Sequence, residues 1–419
     1  MKFLVRGGKK LSGEIDVMGA KNSVLKAMAA SVLFDGVVNI TNVPLIEDVF
    51  RMRELLSDIG AEVREEKRKL SISTDKLRGD TLKKSVSERL RASIVLAGPI
   101  LARQGKVFFP YPGGCVIGKR PIDVFLDGWR AMGAHIKETS EGFEIKAKKL
   151  RGTDYFFRVV SVTGTETLIM TAALAEGKTV LRNAALEPEV SALADFLNRA
   201  GVKIRGAGTP TIEIDGTGGR LLKATEPFRV MPDRIEAGSF LILGAVLGKG
   251  IRINHCNPEH IMALISALHD AGVEVKIGED WVETKKPDRF SPVNIKTREY
   301  PGFPTDLQAP FAVLLTQAQG ESIIFESIFE GRLGYVEELK RMGAKIVPCD
   351  PHRVIIAGPT ELQGREIETP DLRAGLAFVI AALLAKGKSV IGNVYQIDRG
   401  YERIDERLRK LGADIERIE

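Results

Sequence analysis

Residues 336–357 read VEELKRMGAKIVPCDPHRVIIA, in which an amphipathic helix ends at Met342-Gly343-Ala344 and two short strands follow. A glycine followed by a small residue, directly after an amphipathic helix, occurs six times along the chain. The six glycines are Gly60, Gly133, Gly201, Gly272, Gly343 and Gly412, at intervals of 73, 68, 71, 71 and 69 residues. Six marks at nearly constant spacing indicate six copies of one supersecondary unit.

Each copy has the same order of elements. A helix rich in small residues, such as 374–386, comes first, and a glycine such as Gly387 follows it where a left-handed C-terminal cap is expected. A short β-branched strand such as 178–181 is next, and a second helix such as 263–270 leads to the repeated glycine and two strands. Alternating helices and strands of this kind predict an α/β fold.

The sixth copy is incomplete, because only one strand, 414–418, follows its glycine. Residues 3–13 read like residues 354–364 of the fifth copy and supply the missing strand. We therefore expect the first 20 or so residues to complete the sixth copy, with the N-terminal strand paired to the C-terminal one.

The six copies divide into two lobes in this interpretation. Residues 21–228 form one lobe of three copies, and residues 1–20 together with 229–419 form the other. The chain would cross between the lobes twice, near Gly19 and near Phe228. Two crossings suit a hinge with a ligand cleft between the lobes.

Composition limits the class of protein. The chain has 419 residues, of which 44% are hydrophobic and 28% charged, as in a globular protein of two or more domains. It has no apolar run near the roughly 18 residues of a membrane helix, no signal-peptide pattern, and three cysteines far apart. We therefore expect a cytoplasmic protein without a membrane partner.

The net charge of +6 favours an anionic ligand or a nucleic acid without choosing between them, and no nucleic-acid-binding signature is present.

Polar and charged residues stand at the start of the first helix in several copies. Unpaired N–H groups at a helix start favour anions, and a lysine or arginine there opposes the helix dipole. Because several copies accept this cost, the pattern indicates a negatively charged ligand. The residues are Lys21 and Asn22, Arg89 and Arg91, Asp233 and Arg234, Thr305 and Asp306, and Asp371 and Arg373.

The loop before the second helix is about six residues longer in the second copy than in the first. The extra length carries residues 112–121, where two glycines precede Cys115 and Lys119 and Arg120 follow it. The spacing nearly matches a P-loop, but Arg120 stands where a magnesium-binding hydroxyl is needed, so we exclude that interpretation. Two glycines beside a thiol favour a mobile lid, and two cations nearby would stabilise a thiolate that acts as an acid or a nucleophile.

The other cysteines and the histidines suggest no chemistry. We interpret Cys256 and Cys349 as inert buried residues. His255, Cys256 and His260 lie near one another in the sequence, but no fourth ligand or metal-binding spacing accompanies them. No metal site is predicted.

Taken together, these features resemble the UDP-N-acetylglucosamine enolpyruvyl transferases (UDP-N-acetylglucosamine 1-carboxyvinyltransferases). The resemblance covers the whole chain. The motifs that carry it are Gly19-Ala20-Lys21-Asn22, Arg91-Ala92-Ser93, residues 112–121, residues 232–236, Phe303-Pro304-Thr305-Asp306, Asp371-Leu372-Arg373-Ala374 and residues 398–404.

The resemblance implies a fold, a reaction and two substrates. The fold would be an inside-out α/β barrel in two lobes of three repeats. The reaction would move the enolpyruvyl group of phosphoenolpyruvate to the 3′-hydroxyl of UDP-N-acetylglucosamine, release phosphate, and need neither a metal nor an organic cofactor. It is the first committed step of peptidoglycan precursor synthesis.

Two alternatives stay open. A sister family transfers the same group to shikimate 3-phosphate and shares the fold, but the Cys115 loop favours the sugar nucleotide. The second alternative is a repeat protein without catalysis that binds anions or RNA. The oligomeric state is not predicted.

Residue roles also come from the resemblance. Cys115 resembles the proton donor, which can also form a covalent adduct with phosphoenolpyruvate, and Asp306 resembles the base at the 3′-hydroxyl. Asp371 is either a further acid or base or a residue that orients Lys21 or an arginine. Phosphoenolpyruvate would contact Lys21, Asn22, Arg120, Arg332, Arg373 and Arg399, of which Lys21 and Arg399 count as catalytic. UDP-N-acetylglucosamine would contact Asn22, Arg91, Arg120, Pro121, Ile122, Asp123, Val124, Ser161, Val162, Asp306 and Ile328.

Overall fold

The computed structural model describes residues 1–111 and 122–419, and these contain 14 α-helices and 25 β-strands. The helices are α1 (Lys21–Ala30), α2 (Glu47–Asp58), α3 (Lys84–Ser87), α4 (Ala97–Gln104), α5 (Asp123–Ala131), α6 (Val162–Ala173), α7 (Pro188–Arg199), α8 (Arg234–Leu247), α9 (Met262–Asp270), α10 (Gln308–Leu315), α11 (Val336–Arg341), α12 (Leu372–Leu384), α13 (Tyr395–Asp398) and α14 (Ile404–Lys410). Short 3-10 turns lie at Ser31–Leu33, Arg91–Leu96, Pro258–Ile261 and Thr305–Leu307. The strands are β1 (Lys2–Arg6), β2 (Leu11–Asp16), β3 (Phe34–Asp35), β4 (Val37–Thr41), β5 (Glu62–Glu66), β6 (Lys69–Ser73), β7 (Lys106–Pro110), β8 (His135–Glu138), β9 (Gly142–Lys146), β10 (Asp154–Phe156), β11 (Lys178–Arg182), β12 (Lys203–Arg205), β13 (Thr211–Asp215), β14 (Leu222–Lys223), β15 (Phe228–Arg229), β16 (Gly248–Asn254), β17 (Val275–Ile277), β18 (Trp281–Thr284), β19 (Ile295–Lys296), β20 (Gly320–Phe325), β21 (Lys345–Asp350), β22 (Arg353–Gly358), β23 (Glu366–Glu368), β24 (Lys388–Gly392) and β25 (Asp414–Ile418).

Within the described ranges, six sheets of three or four strands repeat one strand order. In the third copy, β10 pairs in parallel with β11, β11 pairs antiparallel with β13, and β13 pairs antiparallel with β12. The order is thus a parallel edge strand, then the first, third and second strands of the copy, and the three-stranded sheet β7-β9-β8 has the last three of these without the edge strand. The sheets are β15-β4-β6-β5, β7-β9-β8, β10-β11-β13-β12, β2-β16-β18-β17, β19-β20-β22-β21 and β23-β24-β1-β25. The predicted α/β class is confirmed.

The N-terminal strand lies in the middle of the last sheet. Leu4 of β1 is opposite Val390 of β24 on one side and Glu416 of β25 on the other. The predicted pairing of the N-terminal strand with the C-terminal strand is therefore confirmed.

The assignment of the whole N-terminal segment to the sixth copy is wrong for β2. This strand pairs in parallel with β16 of the fourth copy, while β15, which precedes the fourth copy in sequence, pairs in parallel with β4 of the first. Two edge strands are thus exchanged between copies. The sheet that an edge strand joins depends on the path of the segment that connects it to the rest of the chain. The spacing of the repeats does not encode that path.

The six repeated glycines all adopt a left-handed backbone conformation, with φ between 83° and 102°. The chain reverses there from the end of the second helix into a strand, and only glycine adopts this conformation without steric cost. Gly387 is also left-handed, with a φ of 88°, but α12 has already ended at Leu384. This glycine therefore introduces the strand β24 rather than capping the helix.

The described residues form two compact units. One consists of Met1–Met18 and Pro232–Glu419, and the other of residues 19–111 and 122–231. Each unit has its own apolar core. None of the helices in the described part of the chain is long and apolar enough to cross a membrane.

The first helices of the copies form the centre of each core. All residues of α8 from Ile235 to Leu247 are buried, so this helix has no solvent-facing side. Small residues allow such helices to approach closely: a Cβ on Gly98 of α4 would lie 2.5 Å from Thr171 Oγ1 of α6. The sheet strands instead alternate between buried and more exposed residues, as along β4. The helix starts, where the predicted site residues stand, are thereby fixed by a rigid core.

Candidate active site

Lys21 begins α1 in the unit that contains residues 19–111 and 122–231, and its side chain is almost fully buried. Its Nζ lies 2.6 Å from Asp48 Oδ2, and Asp48 is in the first turn of α2. The approach to α1 is tight, because a Cβ on Gly19 would lie 2.0 Å from the carbonyl oxygen of Asn42. Asp48 supplies the counter-charge for the buried Lys21, a role that an acidic residue at a helix start does not reveal by sequence alone.

One turn further along α1, Lys26 forms a second buried ion pair. Its Nζ lies 2.9 Å from Glu166 Oε2 of α6 and donates a hydrogen bond to the carbonyl oxygen of Asn22 at 2.8 Å. Burial raises the pKa of Glu166 to about 7; Lys26 lowers it, and Glu189 and Glu187 raise it further. The sequence reasoning missed this pair, which links α6 to the start of α1.

The predicted sugar-nucleotide contacts of this unit also stand at helix starts. Arg91 begins a 3-10 turn, and Ile122 immediately precedes α5, which Asp123 and Val124 begin. Ser161 and Val162 lie at the start of α6, where Ser161 Oγ accepts a hydrogen bond from Gly164 N at 3.1 Å. The Ser161 hydroxyl therefore caps the helix, so its oxygen has one lone pair engaged before any ligand is considered.

In the other unit, Asp306 lies between two arginines. Arg332 Nη2 is 2.6 Å from Asp306 Oδ1, and Arg373 Nε is 3.0 Å from Asp306 Oδ2. Both guanidinium groups are about 5% exposed. The structure thus brings together three residues that are predicted to act on the substrates. Each carboxylate oxygen of Asp306 faces one of the two arginines.

Arg373 is held from its other side by Tyr401. Its Nη1 donates to the Tyr401 hydroxyl at 3.4 Å, and that hydroxyl is 3.2 Å from Ser239 Oγ. Burial is the largest single influence and lowers the pKa of the Arg373 guanidinium, but Asp306, Tyr401 and Asp233 together outweigh it and hold that pKa above its ordinary value. Tyr401 is fully buried and was not predicted as a site residue, although it lies inside the 398–404 motif.

Asp371 caps the helix α12. Its Oδ1 accepts hydrogen bonds from Arg373 N at 2.8 Å and Ala374 N at 3.2 Å. This contact fixes the backbone of Arg373, which corresponds to the orienting role, while the acid–base role stays a prediction. Arg399 follows α13, and its Nη1 donates to Gln396 Oε1 at 3.0 Å.

Ile328 lies in the loop after β20. Its backbone N–H donates to Glu326 Oε1 at 2.8 Å. Glu326 is fully buried and escaped the sequence reasoning, because an acidic residue at a strand end is usually exposed.

Several predictions fall on residues 112–121. Cys115, Arg120 and Pro121, with Lys119, lie outside the described residues, so their assigned roles stay predictions.

The other two cysteines differ from each other. Cys256 is buried, and burial, with Asp280 nearby, raises the pKa of its thiol to about 11. Cys349 is exposed, so its expected burial is wrong; it lies on β21, which has mostly exposed residues. No group of three or more histidine, cysteine or acidic side chains among residues 1–111 and 122–419 could hold a metal ion.

Comparison with known proteins relates this chain to enolpyruvyl transferases. A family model described as EPSP synthase (3-phosphoshikimate 1-carboxyvinyltransferase) matches residues 5–408. A protein of Acidobacterium capsulatum named UDP-N-acetylglucosamine 1-carboxyvinyltransferase is 44% identical over 100% of this chain and 96% of its own length. A protein of the same name from Desulforapulum autotrophicum is 43% identical over 100% of this chain and 99% of its own length.

Solved structures share the fold at lower sequence identity. The enolpyruvyl transferase NikO from Streptomyces tendae superposes with a TM-score of 0.90 at 24% identity, covering 99% of this chain and 98% of that one. EPSP synthase from Acinetobacter baumannii superposes with a TM-score of 0.76 at 19% identity, covering 100% of both chains.

Proposed function

Because the chain belongs to the enolpyruvyl (1-carboxyvinyl) transferase family, we propose that it transfers the enolpyruvyl group of phosphoenolpyruvate to the 3′-hydroxyl of UDP-N-acetylglucosamine. The observation that carries this choice of acceptor is the whole-chain identity of 44% and 43% to two relatives named for that reaction. The reaction releases phosphate and is the first committed step of peptidoglycan precursor synthesis.

The chemistry is an addition followed by an elimination. The methylene carbon of phosphoenolpyruvate takes a proton while the 3′-hydroxyl oxygen bonds to the neighbouring carbon and gives its own proton to a base. In the elimination, the carbon that was the methylene of phosphoenolpyruvate loses a proton and the carbon–oxygen bond to phosphate breaks. These two changes restore the double bond. These steps need a general acid and a general base. We assign Cys115 as the proton donor, which can also form a covalent adduct, and Asp306 as the base.

Phosphoenolpyruvate carries two anionic groups that need several cations. We assign its carboxylate to Arg332, Arg373 and Arg399, and its phosphate to Lys21, Arg120 and Arg399, with Asn22 nearby. The pairing of Arg332 and Arg373 with Asp306 supports the first assignment, because two buried guanidinium groups that already hold one carboxylate have the geometry to hold another.

The contacts to UDP-N-acetylglucosamine are also a proposal. They involve Asn22, Arg91, Arg120, Pro121, Ile122, Asp123, Val124, Ser161, Val162, Asp306 and Ile328. Several of the described members lie at helix starts, where the helix dipole favours anionic groups such as the diphosphate, and this supports the proposal. Asp371 would act as a further acid or base, or orient Arg373 through its cap.

The architecture that fits this function is an inside-out α/β barrel in two lobes of three copies each, residues 21–228 and residues 1–20 with 229–419. Helices that are buried on all sides and strands with one exposed face support a barrel with its helices inside. We place the protein in the cytoplasm, because phosphoenolpyruvate is produced there.

Mass spectrometry of the nucleotide product tests this function. With both substrates present, the sugar nucleotide should gain one enolpyruvyl group, and phosphoenolpyruvate without an acceptor should give no such product. An unmodified nucleotide after prolonged incubation would contradict the proposal.

A further inference from the structure

Glu326 joins two segments that carry proposed contacts to the sugar nucleotide. It lies directly after β20 and is fully buried. One carboxylate oxygen, Oε1, accepts from the backbone N–H groups of Ile328 at 2.8 Å and Phe329 at 3.0 Å. The other, Oε2, accepts from Thr305 Oγ1 at 2.8 Å. One carboxylate therefore connects the loop of Ile328 to the 3-10 turn that contains Asp306.

The backbone of Glu326 is fixed as well. Its N–H donates to the carbonyl oxygen of His352 at 2.7 Å, and its own carbonyl oxygen is 2.8 Å from His352 Nδ1. The carboxylate thus extends from a rigid strand end, and movement of its side chain would break three hydrogen bonds at once. Hydrogen bonds to a charged acceptor are about twice as strong as those between neutral groups.

We propose that Glu326 is a positioning residue that sets the distance between Asp306 and Ile328, and so holds the acceptor 3′-hydroxyl in line with its base. The inference rests on the proposed function. Glu326 touches neither substrate in this account. It acts through the Thr305 hydroxyl on Asp306, and through two backbone N–H groups on Ile328, so its two effects are separable by substitution.

Thr305→Val removes one of these links with little change in shape. Because the hydroxyl no longer holds the turn, Asp306 shifts relative to the acceptor, and kcat should fall about tenfold. The KM for phosphoenolpyruvate should stay within about twofold, and Thr305→Ser, which keeps the hydroxyl, should restore most of the lost kcat. Steady-state phosphate release gives these constants.

Glu326→Gln weakens both links, because a neutral amide oxygen accepts less strongly than a carboxylate and the amide N–H₂ can face Thr305 only if that hydroxyl turns to accept. Both a lower kcat and a higher KM for UDP-N-acetylglucosamine are expected. The matched control for Thr305→Val is Thr316→Val, at a buried threonine of the same unit whose Oγ1 donates to Val313 O at 2.7 Å at the far end of α10. It should lower the melting temperature and leave both constants unchanged.

The outcomes separate the inference from the function on which it rests. Wild-type protein that modifies no sugar nucleotide overturns the proposed function. Suppose instead that the wild-type protein is active and that Thr305→Val and Glu326→Gln, like Thr316→Val, only lower the melting temperature. That result overturns the positioning role alone. A selective loss of kcat on Thr305→Val that Thr305→Ser restores supports it.

Discussion

At the scale of single residues, Asp306 shows how far sequence reasoning reaches. Its place at a helix start and its motif predicted a role, but its two arginine partners lie 26 and 67 residues further along the chain. Which charges meet depends on how the fifth and sixth copies pack, and no local pattern encodes that. For the same reason Asp48, Glu166 and Glu326 escaped prediction, since each acts through a residue remote in sequence.

Asp306→Asn tests the proposed base. The amide keeps the shape but cannot take the 3′-hydroxyl proton, so kcat should fall about a hundredfold or more. The KM for phosphoenolpyruvate should not rise, because a competing carboxylate between Arg332 and Arg373 is lost. The control is Asp350→Asn in the same unit, whose carboxylate pairs with Arg353 at 2.7 Å. A variant that keeps wild-type kcat would exclude Asp306 as the base.

Cys115→Ser tests the proposed reactive thiol. The epoxide antibiotic fosfomycin should alkylate the wild-type protein in the presence of sugar nucleotide, and the serine variant should resist, because a hydroxyl is a far weaker nucleophile than a thiolate. Mass spectrometry of the intact protein measures the adduct. Cys349→Ser is the control, since this exposed thiol should be dispensable for labelling. Labelling that persists in Cys115→Ser would mean that another group reacts.

At the scale of elements, prediction was accurate where a pattern is local. The strand expected at 414–418 is β25, and the helix expected at 263–270 is α9, from Met262 to Asp270. The repeated glycines were recognised because a left-handed turn restricts residue type. The exchange of β2 and β15 between copies is not predictable in this way, since a parallel edge strand has the same local sequence pattern in any sheet.

The pair that joins α1 and α6 makes stability depend on pH. Burial raises the pKa of Glu166 from its reference value of 4.5 to about 7. Between these values the folded protein holds a proton that the unfolded chain releases, so this group's contribution to stability falls as pH rises. The melting temperature of Glu166→Gln relative to wild type should therefore increase from about pH 4.5 to about pH 7 and be constant above it. A difference that stays flat, or declines, across this window would show that Glu166 is ionised throughout.

The N-terminal strand β1 should be essential to its unit. Phe3 is fully buried in the centre of the last sheet, so Phe3→Ala should lower the free energy of unfolding by about 3 kcal/mol or more. Urea denaturation measures the change. Lys2→Ala is the matched control, because its solvent-exposed ion pair with Glu366 should contribute little to stability. Equal effects of the two substitutions would contradict the central place of β1.

At the scale of the whole molecule, the repeat determines most of what could be predicted. Six glycines at nearly equal intervals indicated six units and the α/β class, because each unit must turn at the same point. The predicted site residues follow the repeat less regularly, because the residue types at the helix starts differ from copy to copy. The choice of acceptor depends on those differences, so it followed from resemblance rather than from the repeat.

The most direct test of the central claim is phosphate release from phosphoenolpyruvate with two acceptors in parallel. We expect release with UDP-N-acetylglucosamine and none above background with shikimate 3-phosphate, because the relatives that are 44% and 43% identical over the whole chain are named for the sugar-nucleotide reaction. Release with shikimate 3-phosphate alone would contradict it and move the chain to the sister activity.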